Sequence, residues 1–361
     1  MKSFSAATNG MVFSALCFIP GILLGIPLAG WSGSACILLA ALPAFLALPL
    51  PGAKPYGLDG GKGRTLRLGL LLFSAGLFSA LRGSVCTPGP GPAFALRCCG
   101  KLCACIDAIN FAHGQSGALV KALLTGDRSA LSPETVLLFR RSGASHLLAL
   151  SGLHLGLIYL LLSKLLLPLG MSPAARRAKG LFLLLSSAFY VLMTGAPPSI
   201  TRAFLFITIR EVSTLLHRPQ PPLHCLCTAL LLQCVLSPAA PLNAGFRLSY
   251  LAVAGICIIH PRLSKLYPEG KGLFRKIWDL ASISISCQCF TALESWRLFH
   301  SFPLYFLLTN LMAMPLVSLL MFSAIATVTL SALGCCPSFL TAFCDSCCVL
   351  LLRILEVVAA L

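Results

Sequence analysis

The chain has 361 residues, of which 57% are hydrophobic and only 10% are charged. A soluble globular domain carries about 25% charged residues, so this composition excludes a water-soluble enzyme. A spanning helix needs about 20 apolar residues, and apolar runs recur along the whole sequence. We therefore predict an all-α integral membrane protein, a polytopic helical bundle of about 10–12 transmembrane or re-entrant helices.

The predicted spans follow one another with short polar connections. They cover residues 11–30, 35–50, 66–83, 145–169, 180–195, 199–216, 223–237, 242–260, 277–293, 302–318, 319–334 and 338–360. We divide the chain into N-terminal transmembrane helices at 1–83, a short extracytoplasmic segment rich in Pro, Gly and Cys at 84–117, a membrane core at 118–334, and a C-terminal transmembrane helix at 335–361.

Lys and Arg outnumber Asp and Glu by 27 to 10, which gives a net charge of +17. Because cytoplasmic loops collect Lys and Arg, their distribution predicts a cytoplasmic N-terminus. The long segment at 83–144 then lies outside, yet it is also basic. The insertion bias does not predict this outer surplus, which favours an anionic partner such as lipid headgroups, nucleic acid or an anionic solute.

A short helix is predicted within this outer segment. Ser132 before Pro133 is typical of a helix start, with Ser as the N-cap and Pro at the first helical position. Arg140 and Arg141 before Gly143 are typical of a helix end, where basic side chains and a following Gly are favourable. The helix would therefore present two adjacent cations at its end.

The run from Ser145 to Gly156 leads into the predicted span at 145–169. On a continuous helix, its small residues would form one face that permits close helix packing. These small residues are Ser145, Ala149, Gly152 and Gly156.

Three polar residues of the same run, His146, Ser151 and His154, lie near the outer mouth of that span. Polar groups at such a depth are costly unless they line water or pair. They indicate a polar constriction, with a helix-packing face and interfacial histidines as the alternative. Ser151 and His154 also suggest an intramembrane serine hydrolase, although a nucleophile and its base usually come from different elements.

Three further polar residues lie inside predicted spans. Arg202 and Arg247 are near the outer ends of theirs, where snorkelling to headgroups is the alternative to a functional role. Asn310 precedes Pro315, which we expect to break its helix. Broken helices at membrane depth tend to line cavities, and a simple kink is the alternative.

The 18 cysteines lie mostly in apolar runs, where cysteine behaves as a small hydrophobe. Two clusters, at 98–105 and 344–348, lack the paired CxxC and His pattern of a zinc site. We predict no metal, no cofactor and no catalytic residue.

Several strings of the sequence, in order, resemble the ComEC competence family. They lie at 124–132, 139–156, 198–203, 245–256 and 309–316. The strings Gly-Asp-Arg and Ser-His-Leu-Leu-Ala-Leu-Ser-Gly-Leu-His are the most specific. The resemblance implies a non-enzymatic channel in the bacterial cytoplasmic (inner) membrane that carries single-stranded DNA into the cell during natural transformation.

The resemblance also implies roles for the polar residues. At the outer mouth, DNA would be gathered by Asp127, Arg128, Arg140 and Arg141. The mouth would be lined or gated by His146, Ser151 and His154, and the path beyond it by Arg202, Arg247 and Asn310. Asp127 could instead pair with a neighbouring Arg, and Phe139 or Phe246 could stack on bases or pack in the core.

Family members often carry an oligonucleotide-fold domain and a metallo-β-lactamase-like nuclease domain, and this sequence has neither pattern and no ATP site. We therefore expect a separate nuclease and a cytosolic ATPase motor as partners, beside single-stranded DNA and membrane lipid, and a homodimer stays open. The alternatives are a transporter of a small anionic solute, an intramembrane serine hydrolase, or a family member that has lost transport.

Overall fold

The structure is a computed structural model that describes residues 2–28, 61–83, 93–170, 172–217, 220–267, 272–299 and 305–360. Every regular element in these ranges is a helix, which confirms the all-α prediction. The predicted span at 35–50 lies outside the described residues.

The helices follow each other along the chain with short connections. They are α1 (Lys2–Leu28), α2 (Gly61–Gly83), α3 (Ala93–Asp107), α4 (Ser116–Thr125), α5 (Pro133–Arg141), α6 (Ser145–Leu148), α7 (Gly152–Leu165), α8 (Pro173–Met193), α9 (Pro198–Leu215), α10 (Pro222–Leu236), α11 (Ala244–Ile258), α12 (His260–Leu263), α13 (Leu273–Phe299), α14 (Phe306–Ala332) and α15 (Ser338–Ala359).

The chain divides into two compact units. The first contains Met1–Gly89 and Thr208–Tyr250, and the second contains Pro90–Ile207 and Leu251–Leu361. In the first unit, α1 packs against α2 and α10. Inside this unit, the buried Tyr250 hydroxyl donates to Gln233 Oε1 at 2.9 Å, which satisfies two polar groups that burial would otherwise leave costly. The division at 1–83, 84–117, 118–334 and 335–361 stays a prediction.

The core of the second unit is built around α4, which is buried along its whole length. It packs against α14 and α15, whose inner faces are apolar. Lys121 is the one charged residue of α4, and its Nζ donates to Asp107 Oδ2 at 2.7 Å. This ion pair lets a helix with a lysine remain in an apolar core, because a buried charge is tolerated when it is paired.

Three side-chain hydrogen bonds connect distant parts of this unit. The buried Tyr190 hydroxyl of α8 donates to Leu124 O at the end of α4, at 2.9 Å. Thr309 of α14 donates to Ser142 O just after α5, at 2.7 Å. These two bonds fix the ends of α4 and α5, which lead into the two strings that the sequence analysis singled out.

The third bond ties the loop before α4 to the last helix. His113 Nδ1 lies 2.6 Å from Asp345 Oδ2 of α15, and Asp345 is buried while His113 is exposed. The loop is therefore held by a carboxylate that comes from more than 200 positions further along the chain.

The helix predicted after Ser132 is confirmed. It runs from Pro133 to Arg141, and the Ser132 side chain accepts a hydrogen bond from the Thr135 N–H at 3.2 Å. Gly143 follows with a φ of +75°, a conformation that glycine adopts without strain. Local signals therefore fixed both ends of this helix correctly.

The prediction of one continuous span at 145–169 is wrong. The short α6 ends at Leu148, and α7 begins only at Gly152. Ala149 and Ser151 are extended, so the four small residues of this run do not share the face of one helix. The break is stabilised by Ser151, whose side chain caps the new helix.

The predicted break at Pro315 is also wrong. One helix of 27 residues, Phe306–Ala332, replaces the two spans expected at 302–318 and 319–334, and Pro315 lies inside it. A proline in a helix interior costs about 3 kcal/mol. Ala313 and Val317 on either side are fully buried, and their packing offsets that cost.

Two helical stretches of the described residues, Ala244–Leu266 and Phe306–Ala332, are long and apolar enough to cross a membrane. Shorter apolar helices of 10–17 residues accompany them. The predicted total of about 10–12 membrane helices stays a prediction.

Candidate functional site

The site begins at the turn that follows α4. Gly126 ends this helix with a φ of +82°, and its N–H donates to Ala122 O at 3.0 Å. A Cβ on Gly126 would lie 2.4 Å from Leu150 Cδ1, so Leu150 packs directly on the glycine. Gly126 opens the Gly-Asp-Arg string, and Leu150 belongs to the second string, so the two strings meet here.

Asp127 organises the loop that follows. Its Oδ1 accepts a hydrogen bond from the Ser129 N–H at 2.9 Å, and its own N–H donates to Thr125 Oγ1 at 3.3 Å. The bonds from Ser129 hold the pKa of the Asp127 carboxyl below its ordinary value, because they stabilise the charged form. Its carboxylate therefore shapes the turn, and a direct role of Asp127 with DNA stays a prediction.

Three cations lie exposed on the elements beside this turn. Arg128 follows Asp127 in the loop, and Arg140 and Arg141 occupy the last turn of α5. Glu134 lies in the first turn of that helix, so both ends carry the charge that favours the helix dipole. Their guanidinium groups can meet a solvated anion without the cost of burial.

The aromatic residues considered for stacking lie in the core. Phe139 is fully buried and Phe246 is 4% exposed. Neither ring can receive a base without rearrangement of its surroundings. Core packing is therefore the role that the structure assigns to both.

The break between α6 and α7 brings Ser151 and His154 together. Ser151 is extended and caps α7, and its Oγ accepts a hydrogen bond from the Leu153 N–H at 3.2 Å. The His154 ring folds back, so that its Nδ1 accepts from the Ser151 N–H at 3.2 Å and lies 2.9 Å from Ser151 Oγ. His154 is buried, whereas His146 on α6 is exposed.

This arrangement is a reciprocal helix cap with histidine at the position that Glu or Gln usually takes. A catalytic pair needs a third group that orients the far nitrogen of the histidine. His154 Nε2 is buried and has no hydrogen-bond partner among the described residues. The Ser–His contact is therefore explained by capping.

Arg202 of α9 lies beside the start of α7. It is 8% exposed, and a Cβ on Gly152 would come within 2.7 Å of its Nη2 atom. Gly152 is the residue after the Ser151 cap. The structure thus brings Arg202 to the Ser151–His154 cap, a proximity that sequence separation concealed.

The last two predicted residues lie elsewhere. Arg247 belongs to the other unit, and its Nη1 donates to the carbonyls of Pro241 at 3.3 Å and Leu242 at 3.0 Å. Asn310 lies in the first turns of α14, half-buried, and its Oδ1 is buried with no hydrogen-bond partner among the described residues. Arg247 therefore stabilises a turn, and a role for either residue in transport stays a prediction.

Sequence reasoning missed four residues that build the site: Gly126, Leu150, Gly152 and Tyr190. A glycine after an apolar helix is a signal for a left-handed helix end, and it could have identified Gly126. The contacts of the other three are between distant elements and leave no local pattern. Among the described His, Cys, Asp and Glu residues, no group of three could hold a metal ion.

Comparison with known proteins gives one family and one curated relative. The profile of the Competence protein family matches residues 123–361. ComE operon protein 3 of Bacillus subtilis (strain 168) is 28% identical over 200 residues, which are 55% of this chain and 24% of that protein. The match thus spans about a quarter of the length of the curated relative.

No solved structure matches the chain. The family profile covers more than half of the 361 residues and includes the Gly126–Arg128 loop, the Ser151–His154 cap and Arg202. The chain therefore belongs to the Competence protein family, the ComEC-type family that its motifs resemble.

Proposed function

We propose that this chain forms the membrane part of a channel that carries single-stranded DNA across the bacterial cytoplasmic membrane during natural transformation. The observation that carries the proposal is the contact of Gly126 with Leu150. Through this contact, the loop with the exposed Arg128 is held against the break that precedes α7. A basic surface is thereby joined to the start of an apolar helix, which is the arrangement that an anionic polymer entering a membrane requires.

The outer surface of the helices supports a membrane location. On α8, Leu181, Leu185 and Phe189 recur at intervals of four residues and are exposed, while Ser187 and Tyr190 are buried. Contiguous exposed apolar surface is rare on soluble monomers. A helix that is apolar outside and polar inside is suited to lipid, and family membership agrees with this location.

The net charge of +17 supports an anionic substrate. A single strand binds to basic grooves without sequence preference, because every nucleotide presents a phosphate. Arg128, Arg140 and Arg141 would gather the backbone at the outer mouth, with the N-terminus in the cytoplasm. A separate nuclease would supply the single strand, a cytosolic ATPase motor would pull it, and two copies of the chain could pair.

The alternative of a transporter for a small anionic solute shares the same charge. It differs in needing no extended basic surface, because a small anion is bound by one or two groups. The exposed adjacent pair Arg140 and Arg141 favours the polymer, and the next prediction separates the two alternatives.

Replacing both Arg140 and Arg141 by Ala should weaken the binding of a single-stranded oligonucleotide about tenfold and lower cellular DNA uptake. Each lost phosphate contact should reduce the salt slope by about 0.7. The double change Arg176→Ala with Arg177→Ala on α8 removes an equally exposed pair and is the matched control. Equal effects of the two double changes would contradict a specific role for Arg140 and Arg141.

Gly126→Ala should reduce DNA uptake while the protein still reaches the membrane. The new Cβ would collide with Leu150, and alanine at positive φ costs about 1–2 kcal/mol. Gly170→Ala is the control, since Gly170 has a φ of +83° and nothing within 4 Å of its Cβ position. Labelled DNA in the cytoplasm and immunoblots of membranes measure both variants, and equal uptake by the two would rule out a role for the Leu150 contact.

A serine hydrolase remains the second candidate, because Ser151 Oγ lies 2.9 Å from His154 Nδ1. Ser151→Ala should only weaken a helix cap, by about 1 kcal/mol, if the channel proposal holds. Ser172→Ala removes the N-cap of α8 and is the matched control. Loss of all activity in Ser151→Ala, with Ser172→Ala active, would instead favour a nucleophilic serine.

A further inference from the structure

The start of α7 concentrates positive charge in a buried place. Arg202 is 92% buried, since its exposed fraction is 8%, and its guanidinium lies against Gly152. Gly152 is the first residue of a helix of 14 residues, whose N-terminus carries about half a positive charge. A cation beside the positive end of a helix is unfavourable unless an anion balances both.

His154 adds a hydrogen-bond donor at the same helix start. Its Nδ1 accepts from the Ser151 N–H, so the proton of the neutral ring resides on Nε2. Nε2 is buried without a hydrogen-bond partner among the described residues, and the side chain is 1% exposed. Buried donors are nearly always satisfied, so this nitrogen indicates an acceptor that comes from a ligand.

We propose that the start of α7 is a buried phosphate subsite, formed by the Arg202 guanidinium, the first turn of α7 and His154 Nε2–H. Helix N-termini bind phosphate through their N–H groups, and the planar guanidinium suits two phosphate oxygens. This inference rests on the proposed function: the group bound is one phosphodiester of the translocated single strand. The exposed arginines then gather the strand, and the subsite receives it at the first spanning helix.

A phospholipid headgroup also carries a phosphodiester and could occupy such a site. The two sources differ in shape, because the lipid arrives with acyl chains and the DNA as a continuous polymer. The test therefore uses both as probes. A short-chain lipid, dihexanoylphosphatidylglycerol, and an oligothymidylate of 20 nucleotides serve this purpose, about the length needed to span several phosphate contacts.

Gly152→Ala is the decisive variant, because the new Cβ would displace the Arg202 guanidinium without changing the net charge. Alanine also suits a helix better than glycine, so folding should be retained. Gly156→Ala on the same helix is the matched control, since nothing lies within 4 Å of its Cβ position. General electrostatic attraction predicts no difference between the two variants.

The experiment measures binding of labelled oligothymidylate to the full chain in maltoside detergent, with inorganic phosphate or the short-chain lipid as competitor. We expect Gly152→Ala and Arg202→Gln to weaken binding about tenfold, Arg202→Lys to weaken it less, and Gly156→Ala to bind like the wild type. Inorganic phosphate should displace the oligonucleotide from the wild type better than chloride at equal ionic strength.

Wild-type affinity in Gly152→Ala would overturn the subsite, and so would equal competition by phosphate and chloride, which needs no variant at all. A loss confined to the lipid probe would overturn the assignment to DNA. Failure of the wild type to bind oligothymidylate would instead contradict the proposed function, so the two failures are distinguishable.

Discussion

The contact between Gly126 and Leu150 is the constraint on which the site depends. Only a glycine can occupy this turn, because φ is +82° and Leu150 fills the space of a Cβ. The contact holds the loop of Asp127 and Arg128 against the segment between α6 and α7. That segment sets where α7 begins, and the start of α7 determines what lies beside Arg202. Charge gathering outside and charge binding inside are therefore connected through one apolar contact.

Local signals predicted local structure well. Ser132 and Pro133 start α5 as expected, because a cap and a fixed φ act within one turn of the chain. The start of α7 was missed, since its cap pairs Ser151 with a histidine where Glu or Gln is usual. The break at Pro315 was expected and is absent, because buried neighbours keep that helix intact.

The tertiary contacts of the site could not be predicted from one sequence. Tyr190 donates to Leu124 across 66 positions, and Arg202 lies against Gly152 across 50. Neither contact leaves a periodic pattern, because each depends on how separate helices pack. The family strings did indicate which residues to consider, and the structure separates them: Ser151, His154 and Arg202 are close together, whereas Arg247 stabilises a turn in the other unit.

The central claim is that this chain carries DNA through the cytoplasmic membrane, and uptake in cells with and without its gene tests it most directly. Labelled DNA is supplied, and the pools outside the cytoplasmic membrane and in the cytoplasm are measured separately. The account predicts that the deletion strain keeps DNA at the outer face but accumulates none in the cytoplasm, and that the wild-type chain restores it. An unchanged cytoplasmic pool in the deletion strain would contradict the account.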